Sequence, residues 1–471
     1  MENMPSNKNK VWFSNFIFLS GILFCVLGIA YYINCYKLFF LQLSNDVSLA
    51  QIFELHWYKY IVFFAICSIL LILGLRLRIS LKIILSQWLL ASFLALYGIE
   101  FFLYFSQSEN KIRSDYVKSL RDGGIDAYQA LGSDAFTRTN GLKTNEGKRI
   151  LPLGGVSNKP TVVHRSGKNG SIANAYESDE HGFNNIKGMY DQDGVDIVIA
   201  GTCLEEYKGM HDPSEENLGS VMRKFGYKAI NLSKAGSNYL SIFAALKEYA
   251  EQLKPKATLL FYHDVEDLYP VTRIPGFSSK SPHSEPHILL RYFNEDNFTQ
   301  NLIFKQDKID SLLIKFLKSK EAENTKRNAM GEALRRIWTL HNFRSRIKLD
   351  TSRPPPDVAK PMSADFIKIL EKLKNLVSNW NGELYLVRSP TFPRFKSYSK
   401  NINEADIRFK SVRKLANKLE IRVIDLREKL LNLHPEPLSL FELELHGIPN
   451  GKFYKLSGET ISERLRQDGV L

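Results

Sequence analysis

The stretch Val195-Asp196-Ile197-Val198-Ile199-Ala200-Gly201-Thr202-Cys203 decides the fold of this chain. An apolar run of this length that ends at a glycine is typical of a buried strand in a parallel sheet. Ligands of open α/β sheets bind at the carboxyl edge of the strands. The predicted strand therefore delivers Cys203 to the edge where a functional site is expected.

Strands and helices alternate after this stretch. Further strands are predicted over 228–232, 257–262, 383–387 and 422–426, and helices over 214–225, 239–253, 364–380, 405–419 and 452–466. Short parallel strands need crossover helices, which pack on the two faces of the sheet. The pattern predicts an α/β protein, a three-layer α/β/α sandwich with a parallel five-stranded sheet.

Residues 106–471 are predicted to form two regions. Residues 106–191 are rich in Gly, Asn and Ser and carry turn-prone sequences, so we interpret them as a connecting region packed on the main domain. Residues 192–471 form the α/β domain. Its alternation breaks over about 269–362, where helical patterns at 300–317 and 328–347 predict an insertion at one end of the sheet.

Three N-terminal segments are apolar and long enough to span a bilayer, which takes roughly 20 residues each. They are residues 11–33, 58–77 and 83–105, so residues 1–105 are predicted to form a membrane domain with three transmembrane helices. Glu100 lies near the end of the third segment and is expected at the membrane interface.

Basic residues flank these segments in a way that predicts their orientation. Lys8 and Lys10 precede the first segment, and Arg76, Arg78 and Lys82 lie between the second and the third. Basic loops stay in the cytoplasm, so the N-terminus is predicted to be cytoplasmic. With three spans, the C-terminal domain then lies outside the bacterial cytoplasmic (inner) membrane, in the periplasm.

Charge and cysteine content limit the partners of the chain. Its 471 residues carry a formal net charge of +13, but the basic residues are interspersed with acidic ones rather than clustered with aromatics. We therefore expect no nucleic acid partner, and anionic lipid heads or acidic glycans as better matches to the charge. Cys203 is the only thiol in the soluble domain, so no disulfide is expected within it.

Four blocks of sequence, in order, resemble the SGNH (GDSL-type) hydrolases with a bacterial membrane anchor. They are Glu177–Asn185, Asn231–Gly236, Glu248–Tyr262 and Gly447–Leu456. The resemblance covers about Glu177 to Leu471. It implies the three-layer fold above, and acyl ester chemistry on surface polysaccharide or lipid-linked glycan.

The catalytic positions of that family are largely replaced here. The resemblance places Thr202 and Cys203 where the family has Asp and the nucleophilic Ser, Glu266 where it has an oxyanion-binding Asn, and Ile448 where it has the catalytic His. Gly236 matches the glycine that supplies an oxyanion-hole amide. An ionised Glu266 would repel an oxyanion by about 4 kcal/mol at 4 Å and an effective dielectric constant near 20. These replacements predict a non-catalytic or strongly altered member of the family.

An enzymatic alternative stays open. A shift of the last loop would bring His446 to Cys203 with Glu444 as the orienting acid, which predicts a cysteine-dependent esterase or O-acyltransferase. An assembly scaffold that recruits partners through its membrane helices is a third class.

Potential metal ligands follow the third predicted strand. His263, Asp264, Glu266 and Asp267 lie close together there, but a contiguous acidic turn is more often solvated than a metal site. We therefore predict neither a metal nor a cofactor.

Overall fold

The computed structural model describes residues 7–42, 57–106, 109–137, 139–167, 170–191, 194–206, 216–263, 287–326, 337, 340, 343, 364–390, 401–441 and 449–471. The chain divides into two compact units. The helix unit comprises Met1–Ser108 and Glu323–Pro355, and the α/β unit comprises Glu109–Ala322 and Pro356–Leu471. The chain therefore passes between the two units three times.

The helix unit begins with helices α1 (Asn7–Gln42), α2 (Trp57–Gly74) and α3 (Ile79–Ser106). Two segments, Asn9–Ile33 and Ile79–Leu103, are long and apolar enough to cross a bilayer. The apolar part of α2, Tyr60–Gly74, is shorter than the roughly 20 residues that a span needs. The structure thus does not confirm the predicted count of three spans.

The side chains of α1 and α3 are mostly exposed although they are apolar. Only 17% of the 18-residue apolar stretch in α1, and 11% of the corresponding stretch in α3, is buried within the chain. Trp88 and Phe102 are each 70% exposed. Apolar surface of this extent is rare on proteins in water and marks contact with lipid or with another protein.

Glu100 of α3 is buried rather than exposed at an interface. Its side chain is 0% exposed, and one carboxylate oxygen accepts a hydrogen bond of 2.7 Å from the backbone amide of Phe343. A buried carboxylate costs free energy unless such a donor satisfies it. Glu100 therefore fixes residue 343 within the helix unit.

Residues 109–191 contain regular structure that the turn-rich sequence did not predict. They form α4 (Glu109–Asp122), β1 (Tyr128–Gln129), β2 (Leu142–Lys143), β3 (Arg149–Ile150), β4 (Pro160–Gly167) and β5 (Gly170–Glu177). Strands β4 and β5 pair antiparallel up to Gly167 opposite Gly170, and β1 runs parallel to β4. The turn signal at 167–170 thus closes a β-hairpin. Leu151, Leu153 and Phe183 share one buried core with Tyr249 of the main domain.

The main sheet has five parallel strands. They are β6 (Ile197–Ala200), β7 (Ala229–Asn231), β8 (Ala257–His263), β9 (Glu383–Ser389) and β10 (Arg422–Asp425), in the order β7-β6-β8-β9-β10. All residues of β6 and β8 are buried, as expected for strands covered on both faces. The order reverses between β6 and β8, and this reversal is the topological switch point where doubly wound sheets bind ligands.

Helices cover both faces of this sheet. The first core packs α7 (Tyr239–Ala245), α8 (Ile288–Asn294), α9 (Gln306–Lys326), α10 (Ala364–Ser378) and α11 (Asn401–Lys418) against one face, and the second packs α6 (Leu218–Lys224) and α12 (Gly451–Gln467) against the other. The predicted three-layer α/β/α sandwich with a five-stranded parallel sheet is confirmed.

The first helix of the insertion begins later in the sequence than predicted. The helix predicted from residue 300 begins at Gln306 instead, because the backbone amides of Gln300 and Leu302 donate to Glu248 rather than to a helix. The second predicted helix, 328–347, lies outside the described residues except for 337, 340 and 343.

Candidate functional site

The residues after β6 form the centre of the candidate site. Thr202 is the residue before the short helix α5 (Cys203–Glu206), and its backbone amide donates to the Glu205 carboxylate at 2.8 Å. A Glu three residues after a Thr that binds back to the Thr amide is one half of a capping box. A Cβ on Gly201 would lie 2.4 Å from the same carboxylate oxygen, so a larger residue there would displace the Glu205 side chain.

A buried histidine from β8 meets this carboxylate across the switch point. The Nε2 atom of His263 lies 3.1 Å from Oε1 and 3.2 Å from Oε2 of Glu205. The two side chains are 2% and 3% exposed. Because His263 ends β8 and Glu205 follows β6, the two strands on either side of the switch point are joined at their carboxyl edge. This His–Glu pair is the arrangement that orients an imidazole in acyl-transfer enzymes.

A buried ion pair lies next to it. The Lys234 ammonium is 3.0 Å from the Glu206 carboxylate, and the two side chains are 2% and 1% exposed. Glu206 also accepts from the Tyr176 hydroxyl at 3.2 Å and from the backbone amide of Ala235 at 2.6 Å. Lys234 and Ala235 belong to the loop after β7, and Tyr176 belongs to the β4–β5 hairpin. The pair therefore ties the hairpin to the main sheet.

The block Glu177–Asn185 is held to the sheet by a chain of amide hydrogen bonds. Asn185 exchanges two hydrogen bonds with the backbone of Asn231, at 2.8 and 3.0 Å. The Asn231 side chain donates to the carbonyl of Glu205 at 2.6 Å. The Asp179 carboxylate accepts from Asn185 at 2.8 Å and from the amides of His181 and Phe183. Two of the blocks behind the family resemblance thus build the wall of one site.

Burial raises the pKa of Asp179 from 3.8 to about 6, against the lowering effect of its three hydrogen-bond donors. Because the folded pKa exceeds the unfolded one, ionisation of Asp179 opposes folding as the pH rises from about 4 to 6. We expect the free energy of unfolding of the wild type, minus that of Asp179→Asn, to be about 2 kcal/mol larger at pH 4 than at pH 7.

This difference can be measured by chemical denaturation of both full chains in detergent at several pH values. Subtracting the variant removes the titration of all other groups that the two proteins share. A difference that stays constant with pH, or grows as the pH rises, would contradict the raised pKa.

Gly236, the predicted oxyanion-hole residue, adopts a φ of +74°. A Cβ there would lie 2.4 Å from Oδ1 and 2.7 Å from Cγ of Asp134, so this carboxylate rests against the glycine. The preceding backbone is fixed as well, since the amide of Ser133 donates to the carbonyl of Ala235 at 2.7 Å. An acid therefore lies beside the position where the resemblance expects a donor for an oxyanion.

The other predicted site residues stay predictions. Glu266, Glu444, His446 and Ile448 lie outside the described residues, as does the side chain of Cys203, whose backbone begins α5. Within the described part of the chain, no group of three or more His, Cys, Asp or Glu side chains could hold a metal ion.

Sequence reasoning missed most of the described site. Glu205, Glu206, Lys234 and Asp134 were not singled out, and His263 was considered only as a metal ligand. Two adjacent acids directly after the strand-end cysteine were an available signal, because acids so close to a predicted buried edge require partners. Nothing in the sequence pointed to Asp134, about one hundred residues before Gly236.

Several solved structures are similar to this chain, although its sequence matches no family model. No protein-family model and no curated protein matches the sequence. Similar solved structures include a lipase/acylhydrolase from Enterococcus faecalis, with 11% identity over 58% of this chain and 96% of the other and a TM-score of 0.30. An acetyl xylan esterase has 10% identity over 57% of this chain and 100% of the other, with a TM-score of 0.31. A GDSL-like lipase from Parabacteroides merdae has 9% identity over 59% of this chain and 97% of the other, with a TM-score of 0.27.

These neighbours are SGNH/GDSL-type lipases and esterases, the family that the sequence blocks resemble. Similarity at this level concerns the fold alone and transfers neither activity nor substrate to this chain.

Proposed function

We propose that this chain is a membrane-anchored, SGNH-like protein that binds acylated surface glycan outside the cytoplasmic membrane without cleaving the ester. The observation that carries the proposal is the Asp134 carboxylate against Gly236. An ester oxygen at this glycine gains negative charge in the transition state, and a hydrolase needs donors there. A carboxylate at about 4 Å repels it by about 4 kcal/mol at an effective dielectric constant near 20.

The neighbouring groups support the same proposal. Glu206 is paired with Lys234 and also accepts from the Tyr176 hydroxyl and the Ala235 amide. The Glu205 carboxylate is occupied by the Thr202 amide. The Glu205 and Glu206 carboxylates thus bind neighbouring groups of the protein at the carboxyl edge of the sheet, where catalysis would take place.

Membrane attachment is the second part of the proposal. The exposed apolar surfaces of α1 and α3 fit a lipid bilayer. The predicted cytoplasmic N-terminus and extracytoplasmic α/β domain come from the basic residues that flank the apolar segments. Surface polysaccharide or lipid-linked glycan is the partner that the family resemblance implies.

The Glu205–His263 pair favours a second candidate function, a cysteine-dependent acyl hydrolase or O-acyltransferase. In this scheme the Cys203 thiol gives its proton to His263 and its sulfur bonds to the acyl carbon. The ester C–O bond then breaks, and His263 returns the proton to the leaving alkoxide. Water or a glycan hydroxyl cleaves the thioester and regenerates the thiol. Here His263 and Glu205 take the places that the sequence analysis gave to His446 and Glu444.

One set of measurements separates the two functions. We expect the full chain in detergent to turn over p-nitrophenyl acetate no faster than the Cys203→Ala variant, and to bind O-acetylated dextran equally well with and without that substitution. Turnover that disappears in Cys203→Ala and falls by about 100-fold or more in His263→Gln would establish the second function instead. Absence of binding to O-acetylated dextran would overturn the glycan part of the proposal.

A further inference from the structure

A cleft lies at the amino ends of the strands of the main sheet, opposite the candidate site at their carboxyl ends. Helix α7 starts after Gly236 at the carboxyl edge of β7 and leads through one π-helical turn, Leu246–Ala250, to the amino end of β8. Its last turn and the loop before α9 enclose a cleft of about 330 Å³. This volume lies at the lower end of the range for small-molecule sites.

A buried carboxylate organises one wall of this cleft. Glu248 is 3% exposed and accepts from the backbone amides of Gln300 and Leu302, from the Thr299 hydroxyl at 2.8 Å and from the Tyr292 hydroxyl. Four donors on one carboxylate fix the loop from Thr299 to Leu302. A wall fixed in this way is ordered before any ligand binds, which lowers the entropy cost of binding.

The cleft offers neutral polar groups to a ligand. Gln252, Asn297 and Asn301 line it, and within the described part of the chain their side-chain amides take part in no hydrogen bond. Each primary amide can donate and accept. Of the charged groups that line the cleft, Asp296 binds Lys372 at 2.7 Å and its carbonyl accepts from Lys247, and Glu251 adds a carboxylate, which can accept hydrogen bonds from hydroxyl groups. The free amides therefore suit hydroxyl groups better than ions.

An exposed aromatic ring completes the cleft. Phe304 lines it and is 75% exposed, whereas its neighbour Leu302 is fully buried. An exposed aromatic face beside free amides matches a sugar, whose ring has one apolar C–H face and a rim of hydroxyls. Phe304 is also the most exposed of the large apolar side chains in the described part of the α/β unit.

From this geometry we infer that the cleft binds a sugar unit of a neutral polysaccharide, with the ring on Phe304 and its hydroxyls on Gln252, Asn297 and Asn301. This inference rests on the proposed glycan-binding function and gives it a binding site away from Cys203.

Calorimetric titration of the full chain in detergent tests the inference with three probes: maltohexaose, xylohexaose and the hexamer of N-acetylglucosamine. We expect at least one to bind, and Phe304→Ala to weaken that binding about tenfold or more, as for truncation of an aromatic hot spot. Gln252→Ala should weaken it as well. Ile186→Ala is the matched control, because Ile186 is also exposed, at 61%, but does not line the cleft.

Failure of all three probes to bind at millimolar concentration overturns the inference, as does binding that Phe304→Ala leaves unchanged. If O-acetylated dextran binds but Phe304→Ala has no effect on it, the cleft is wrong and the proposed function stands. If a neutral probe binds at the cleft while O-acetylated dextran does not bind, the proposed function fails and the inference stands.

Discussion

Lys234→Met is expected to lower the free energy of unfolding of the α/β unit by about 3–5 kcal/mol. The methionine has nearly the volume of the lysine, so packing changes little. The substitution leaves the Glu206 carboxylate, 1% exposed, without its cation; among the described residues, its remaining donors are the Tyr176 hydroxyl and the Ala235 amide. A buried charge that has lost its partner is among the largest single-residue penalties. Chemical denaturation of the full chain in detergent measures this loss.

Two further variants separate the buried pair from the general effect of removing a lysine. Lys187→Met breaks a pair with Glu177 in which both side chains are about half exposed, and it should cost less than about 1 kcal/mol. The double variant Lys234→Met with Glu206→Gln removes both charges and should recover a large part of the loss. Equal costs for Lys234→Met and Lys187→Met would contradict the burial of the Lys234–Glu206 pair.

Gly182→Ala is expected to cost about 3–5 kcal/mol. The φ of Gly182 is +80°, and a Cβ there would lie 2.2–2.3 Å from the backbone oxygen, carbon and nitrogen of Gly155. Backbone atoms cannot move aside as a flexible side chain can. The amide of Gly155 also donates to the carbonyl of Gly182 at 3.0 Å, so moving the two loops apart would break this bond.

Gly188→Ala is a matched control for this prediction. Gly188 has a φ of +77°, nearly that of Gly182, but nothing lies within 4 Å of its Cβ position. Its substitution isolates the cost of the left-handed backbone, which is about 1–2 kcal/mol. The midpoint of chemical denaturation compares the two variants. A Gly182→Ala chain as stable as Gly188→Ala would show that the loops of Gly155 and Gly182 do not touch.

The sequence predicted the main sheet well because its strands are buried on both faces. Val195–Ala200 and Ala257–Tyr262 are nearly uninterrupted apolar runs, and the observed strands start or end within two residues of them. The helices that pack on the sheet carry capping residues such as Asn217, Asn238 and Asn450, which fix where each helix starts. Local patterns of this kind are readable without a structure.

Local sequence patterns did not predict which residues contact each other within the site. Glu205 meets His263 only because β6 and β8 are neighbours in the sheet, a fact of strand order rather than of spacing. Asp134 reaches Gly236 from a region whose Gly, Asn and Ser content predicted only turns. Tyr176 reaches Glu206 from the β4–β5 hairpin, which the sequence pattern did not predict, and Lys234 reaches it from the loop after β7. The site is formed by contacts between segments that are distant in the sequence, and local sequence patterns do not predict such contacts.

The three passages of the chain between its units bear on how the α/β unit can be isolated. Cutting after residue 108 would remove α1 to α3 but keep residues 323–355, which belong with them. The amide of Phe343 would lose the Glu100 carboxylate that fixes it. We therefore expect a soluble fragment to be better behaved when both segments of the helix unit are removed together than when only residues 1–108 are removed.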